Sequence, residues 1–147
     1  MNWLLDTNTV SEQTKRRPDR NVLAWIAAQD PKLVAMSAVT AAELRNGALW
    51  AQEPRRTELL DWIESEIQPV FVSRTLPVTI EILMDWLDLA RRFTRRRRAN
   101  SAPDTLIAST ARVHGLIVVT RNLRHFAGTG VTIYDPWTDK TETMESL

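Results

Sequence analysis

The sequence predicts an α/β domain in three layers, a mainly parallel central sheet between helices. Three observations lead there. Short apolar runs alternate along the chain with longer stretches of helical periodicity. Several of the apolar runs are continuous rather than alternating, which suits strands buried on both faces. Helical stretches separate the strands, so successive strands pair in parallel through right-handed crossovers. The chain of 147 residues has the size of one domain.

Residues 2–6 read as the first strand and residues 7–15 as a helix start, broken by Arg16-Arg17-Pro18-Asp19. Residues 21–29 place Val22, Trp25 and Ile26 on one helical face. Residues 33–36 are a second strand, and Ser37 is placed to cap a helix running to about Trp50. Residues 55–67 carry Leu59, Trp62, Ile63 and Glu66 at helical spacing, and Val70, Phe71 and Val72 read as a short strand. Pro77 is expected to open a long helix through Ile80, Leu83, Leu87 and Ala90 into an arginine run. After the break at Asn100-Ser101-Ala102-Pro103, residues 104–114 are helical, Gly115 stops the helix, and residues 116–119 form a β-branched strand. Residues 131–134 are expected to be the last strand. Residues 1–137 then make a single domain, and residues 138–147 an acidic C-terminal tail.

Composition narrows the chemistry. Hydrophobic residues make up 44% of the chain and charged residues 25%, values of a folded globular protein. There is no cysteine, hence no disulfide framework, thiolate nucleophile or cysteine-rich zinc site. His114 and His125 alone exclude a three-histidine metal site. Asp6 cuts short the apolar start, and nothing approaches a membrane span, so a cytoplasmic protein with no membrane association is expected. The net charge is +1, but Arg91, Arg92, Arg95, Arg96, Arg97 and Arg98 are clustered. Arginine binds phosphate in a planar fork, which hints at a polyanion partner.

In an open α/β sheet the site lies beyond the carboxyl ends of the strands. Asp6 ends the first strand, Thr120-Arg121-Asn122 follows the strand at 116–119, and Asp104 opens the helix leading into that strand. Each residue has a structural reading beside the functional one. Asp6 can be a turn or capping aspartate supported by Thr7 or Asn8. Asp104, after Pro103, can cap helix amides. Glu43 lies at the edge of an apolar helix face, either reaching to solvent or aimed into a cleft. Gly47, one turn later, costs about 1 kcal/mol relative to alanine and implies a packing or clearance reason. Three carboxylates brought close would repel by roughly 4 kcal/mol per pair at 4 Å and an effective dielectric near 20. They would protonate or hold a hard cation, and an oxygen-only set suits Mg²⁺ or Mn²⁺. Such a cation beside arginines points to nucleic acid.

The residues then resemble a family. Leu4-Leu5-Asp6-Thr7-Asn8-Thr9-Val10-Ser11-Glu12 is similar to the opening of PIN-domain ribonucleases, the toxins of VapBC-type toxin–antitoxin pairs. Ala42-Glu43-Leu44-Arg45-Asn46-Gly47, Asp104-Thr105-Leu106-Ile107-Ala108-Ser109-Thr110-Ala111 and Val118-Val119-Thr120-Arg121-Asn122-Leu123-Arg124-His125-Phe126 continue the match in the family's order. The stretch from Gly128 to Trp137 resembles the FitB-like branch. The resemblance implies a PIN-like α/β/α sandwich and Mg²⁺- or Mn²⁺-dependent endoribonuclease activity. It implies that Asp6, Glu43 and Asp104 are the catalytic metal ligands, that Thr7 and Asn8 support Asp6, and that Thr120 and Asn122 line the same groove. It implies a small DNA-binding antitoxin and a homodimer. One position departs: where the family motif usually ends in Asp-Phe, this chain has His125-Phe126. A PIN-like domain of weak or lost activity that acts by binding a partner is therefore the alternative. The arginine run has two functional readings, contact with RNA phosphates or with the antitoxin, beside a structural one as cations at a helix end.

Other acidic-cluster enzymes fit less well. A phosphatase of the haloacid dehalogenase type needs a second aspartate two residues after Asp6, where Asn8 stands. A receiver domain needs a lysine at a late strand end, and Lys15, Lys32 and Lys140 are misplaced. A metal-independent ribonuclease would use His114 and His125 as acid and base, but His114 falls at a helix end, where a cation suits the dipole.

Overall fold

The structure is a computed structural model that describes residues 2–146. Met1 and Leu147, the outer ends of the two expected segments, lie outside the described residues. Six strands form one sheet in the order β3-β2-β1-β4-β5-β6. They are β1 (Trp3–Leu5), β2 (Val34–Ser37), β3 (Thr75–Leu76), β4 (Ile117–Val119), β5 (Thr132–Asp135) and β6 (Lys140–Thr143). The first five are parallel, and β6 returns antiparallel to β5. Among the described residues no helix is long and apolar enough to cross a membrane.

The sheet is covered on both faces, as its continuous apolar strands require. On one face Leu4, Ala35, Val118 and Ile133 pack against Leu89, Phe93, Ile107 and Ala111. These last four come from α6 (Ile80–Arg95) and α7 (Ala102–His114). On the other, Leu5, Met36 and Val119 meet Val10, Leu44, Ile67 and Phe71. Val10 lies in α1 (Thr7–Ser11), and Leu44 in α3 (Ala38–Trp50). Between α1 and β2 runs α2 (Arg20–Ala28), capped by Asp19. Ser37 caps α3 by accepting the Val39 N–H, and Gly115 ends α7 at φ +65°, a left-handed conformation that glycine adopts without steric cost.

Several expectations need correction. Val70, Phe71 and Val72 are not a strand. The helix α4 (Arg55–Trp62) passes through a π-turn (Ile63–Ile67) into α5 (Gln68–Phe71). Pro69 has no N–H to give to the preceding turn, and the wider turn still brings Ile67 and Phe71 into the core while Val70 and Val72 stay outside. The edge strand lies further on, at Thr75–Leu76. Pro77 follows this edge strand rather than opening a helix; Thr79 caps α6 by accepting the Ile82 N–H at 3.3 Å. Finally, residues 131–134 do not hold the last strand. Within the segment expected as an acidic tail, Lys140–Thr143 completes the sheet and Met144 is buried in the core. Its alternating polar residues conceal a strand because both faces of β6 are exposed.

The periodicity of α6 also divides differently. Ile82, Leu89 and Phe93 are buried, whereas Ile80, Leu83 and Leu87 remain exposed. Gly47 has neither a packing nor a clearance reason: it is exposed, and a Cβ there would meet nothing within 4 Å.

Candidate active site

The site forms where β1 and β4 end. The Asp6 N–H donates to the Val119 carbonyl at 3.0 Å, tying the two strand ends together. Asp6 is the N-cap of α1, and its Oδ1 accepts the Thr7 N–H at 2.8 Å. Its Oδ2 accepts from the Thr120 hydroxyl at 2.8 Å and from Asn8 Nδ2 at 3.0 Å. Asn8 Nδ2 also donates to Thr120 Oγ1 at 2.9 Å, and Thr120 Oγ1 accepts the Asn122 N–H at 3.1 Å. Asp6 therefore serves both as cap and as a fixed carboxylate, and the two readings are compatible. It is 4% exposed. Burial pushes its carboxyl up from the ordinary value; hydrogen bonds from Thr120 and Thr7 oppose this, and the charges of Asp104 and Glu43 add to it.

Glu43 arrives on the second turn of α3, and its Oε1 accepts the Thr7 hydroxyl at 2.7 Å. Asp104 sits in the first turn of α7 without capping it. That role belongs to Ser101, whose Oγ accepts the Asp104 N–H at 3.3 Å and donates to Asp104 Oδ2 at 2.6 Å. His125 Nδ1 lies 3.2 Å from the same oxygen. The Asn100 amide donates to the His125 carbonyl at 3.3 Å, holding that loop against the start of α7.

Asp6, Thr7, Asn8, Glu43, Asp104, Asn122 and His125 line one open cleft of about 530 Å³, together with Ser11, Ser101 and Pro103. Thr120 does not line it: fully buried, it holds Asp6 from beneath. None of Arg91, Arg92, Arg95, Arg96, Arg97 or Arg98 lines it either. Arg91 and Arg95 border a separate groove on α6 with Met84 and Leu87; Arg91 pairs with Asp88, and Arg92 donates to Ser146 Oγ at 2.9 Å. Ser11, Ser101 and Pro103 are cleft residues that the sequence reading did not place there, although Ser101-x-x-Asp104 has the spacing of a capping box.

Among the described residues no three His, Asp or Glu side chains are arranged to hold one ion between them. Each carboxylate is turned to a protein donor instead: Asp6 to Thr120 and Asn8, Glu43 to Thr7, Asp104 to Ser101. The donor set nevertheless suits a hard cation. It is all oxygen at its acidic positions, and the charges of both other carboxylates add to the effect of burial on Asp6.

A family model described as the PIN domain matches residues 3–130. The chain belongs to the PIN domain family. Among PIN relatives it is similar to the VapC ribonuclease Y4jK of Sinorhizobium fredii, 38% identical over 135 residues, which cover 91% of this chain and 96% of that protein. It is similar to the toxin FitB of Neisseria gonorrhoeae, 34% identical over 92% of this chain and 99% of that one. Among solved structures, FitAcB from Neisseria gonorrhoeae superimposes with a TM-score of 0.85 at 32% identity, covering 92% of this chain and 98% of the other. The expected three-layer α/β/α arrangement is thus the PIN-like fold.

Proposed function

We propose that this PIN domain is the toxin of a type II toxin–antitoxin pair and an endoribonuclease that hydrolyses RNA phosphodiesters with Mg²⁺ or Mn²⁺. The observation that carries the reading is the shared cleft of Asp6, Glu43 and Asp104, with Asp6 buried and repelled by the other two. In this reading the three carboxylates are the metal ligands and the catalytic groups. A divalent ion bound there supplies Lewis acidity toward a phosphoryl oxygen and toward water.

The remaining residues prepare that site. Thr120 and Asn8 fix the Asp6 carboxylate by two hydrogen bonds to one oxygen, leaving its rotamer no freedom. Thr7 orients Glu43, and Ser101 orients Asp104. Asn122 lines the cleft, and His125 brings a nitrogen that donates to Asp104 when protonated. RNA is the substrate, a small DNA-binding antitoxin the inhibitor, a homodimer the assembly and the cytoplasm the place of action. The similarity to proteins named ribonuclease and toxin supports this. Arg91 to Arg98, away from the cleft, are left to contact RNA beyond the scissile bond or the antitoxin.

One observation favours the second reading, a partner-binding domain of weak or lost activity: Asp104 Oδ2 is held by both Ser101 and His125, where the family usually has an aspartate. Incubating the purified chain with RNA in Mg²⁺, Mn²⁺ or EDTA separates the two. Cleavage that requires a divalent ion supports the nuclease; intact RNA under all three conditions supports the partner-binding domain.

A further inference from the structure

Arg121 is the residue between Thr120, which holds Asp6, and Asn122, which lines the cleft. Its backbone N–H points to Asn8 Oδ1 at 3.5 Å, so its place beside the site is set by the same network. Its side chain differs from those of the two arginines that the fold ties down most fully. Arg112 is bound by Asp85 and by the Thr129 carbonyl, and Arg74 by the carbonyls of Val34 and Val70. Among the described residues the Arg121 guanidinium has no such partner. It lies over the Trp137 ring, 5.0 Å from the centroid.

Stacking fixes a guanidinium while leaving its planar fork of N–H donors uncommitted, the state that suits a phosphate. Trp137 is itself held firmly. Its N–H donates to Asp135 Oδ1 at 2.8 Å, and its carbonyl accepts from Asn21 Nδ2 at 3.4 Å. Its indole Nε1 is buried without a hydrogen-bond partner. An unpartnered buried N–H is unfavourable, so packing alone would favour phenylalanine; tryptophan is the better ring for a cation.

We propose that Arg121, stacked on Trp137, binds a backbone phosphate of the RNA strand beside the carboxylate cleft, with Trp137 as a positioning residue that acts through Arg121. The substrate class rests on the ribonuclease reading above, and the test keeps the two apart. Binding of a fluorescent single-stranded RNA is measured in EDTA across a range of salt, and cleavage kinetics are measured separately with a divalent ion. Arg121→Gln is expected to weaken binding roughly tenfold, the scale of one charged hydrogen-bonding contact, and to flatten the log–log salt slope by about 0.7. It raises KM more than it lowers kcat. Arg121→Lys keeps the salt slope while losing affinity, because it keeps the charge without the fork. Trp137→Ala loses part of the affinity and Trp137→Phe restores most of it.

In the double variant, Trp137→Ala adds nothing to Arg121→Gln, which a merely structural role for the ring would not give. Wild type that binds RNA without cleaving it leaves the clamp standing and removes the nuclease reading. An Arg121→Gln variant with the wild-type salt slope and KM overturns the clamp, even if wild type cleaves. Additive losses in the double variant overturn the role of Trp137, and wild type that binds no RNA overturns the proposal. Weakened antitoxin binding with unchanged RNA binding assigns the pair to the antitoxin and overturns it equally.

Discussion

Thr120→Val tests how Asp6 is held. The substitution nearly preserves shape and replaces the hydroxyl with a methyl group. Thr120 Oγ1 makes three hydrogen bonds at 2.8–3.1 Å, to Asp6 Oδ2, Asn8 Nδ2 and the Asn122 N–H. After the change Asp6 Oδ2 and Asn8 Nδ2 still have each other at 3.0 Å, so the principal loss is one partner for the Asn122 N–H and one bond to a charged oxygen. Leaving such a group unsatisfied costs about 1–3 kcal/mol, and about 2 kcal/mol lowers Tm by roughly 4–8 °C in a domain of this size. The larger effect is on the site. Held then by Thr7 and Asn8 alone, Asp6 is positioned less firmly, and removing such a support of a metal ligand costs about 10–100-fold in metal affinity or activity. Thermal unfolding and RNA cleavage are measured side by side, with Thr120→Ser as the control that keeps the hydroxyl. A Thr120→Val protein as stable and as active as wild type would refute the reasoning.

Three further outcomes are expected. Burial holds the Asp6 carboxyl above its ordinary value of 3.8, so the folded state binds that proton more tightly than the unfolded state, and its contribution to metal-free stability declines as pH rises from about 3.8 through the folded value. Asp6→Asn removes that decline. Urea unfolding in EDTA at acid and neutral pH should show the variant gaining on wild type toward neutrality, and parallel pH curves would contradict it. His125→Asp places a carboxylate beside Asp104 and should raise Mg²⁺ affinity and Mg²⁺-supported cleavage, with wild type favouring Mn²⁺; indistinguishable Mg²⁺ titrations would remove His125 from the metal site. Replacing Arg95, Arg96, Arg97 and Arg98 with glutamine should flatten the salt dependence of RNA binding by about 0.7 in slope per lost contact, and an unchanged slope would leave those residues to the antitoxin or to the end of α6.

The core strands were legible because β1, β2 and β4 are short runs buried on both faces. The caps at Ser37 and Gly115 were legible because their chemistry is local. Residues 70–72 misled because a β-branched run continues a helix when a π-turn before Pro69 aims Phe71 at the core. Lys140–Thr143 was invisible because an exposed edge strand needs only a partner in β5, not an apolar face. The cleft followed from strand order: β1 and β4 are neighbours, which places Asp6 beside Thr120 although 114 positions separate them. Glu43 stood out at the edge of an apolar helix face, and the family resemblance gave it the role of a ligand. The Ser101-x-x-Asp104 spacing held the signal that Ser101 caps α7 so that Asp104 need not, whereas no pattern could place Trp137 under Arg121.

Divalent-ion-dependent cleavage of a defined RNA, by wild type and by Asp6→Asn, Glu43→Gln and Asp104→Asn prepared identically, bears most directly on the proposed function. Wild type should cleave with Mg²⁺ or Mn²⁺ and stop in EDTA, and all three folded variants should lose cleavage under every condition. Wild-type rates in the three variants, or cleavage that persists in EDTA, would contradict the assignment of these carboxylates to a metal-dependent ribonuclease site.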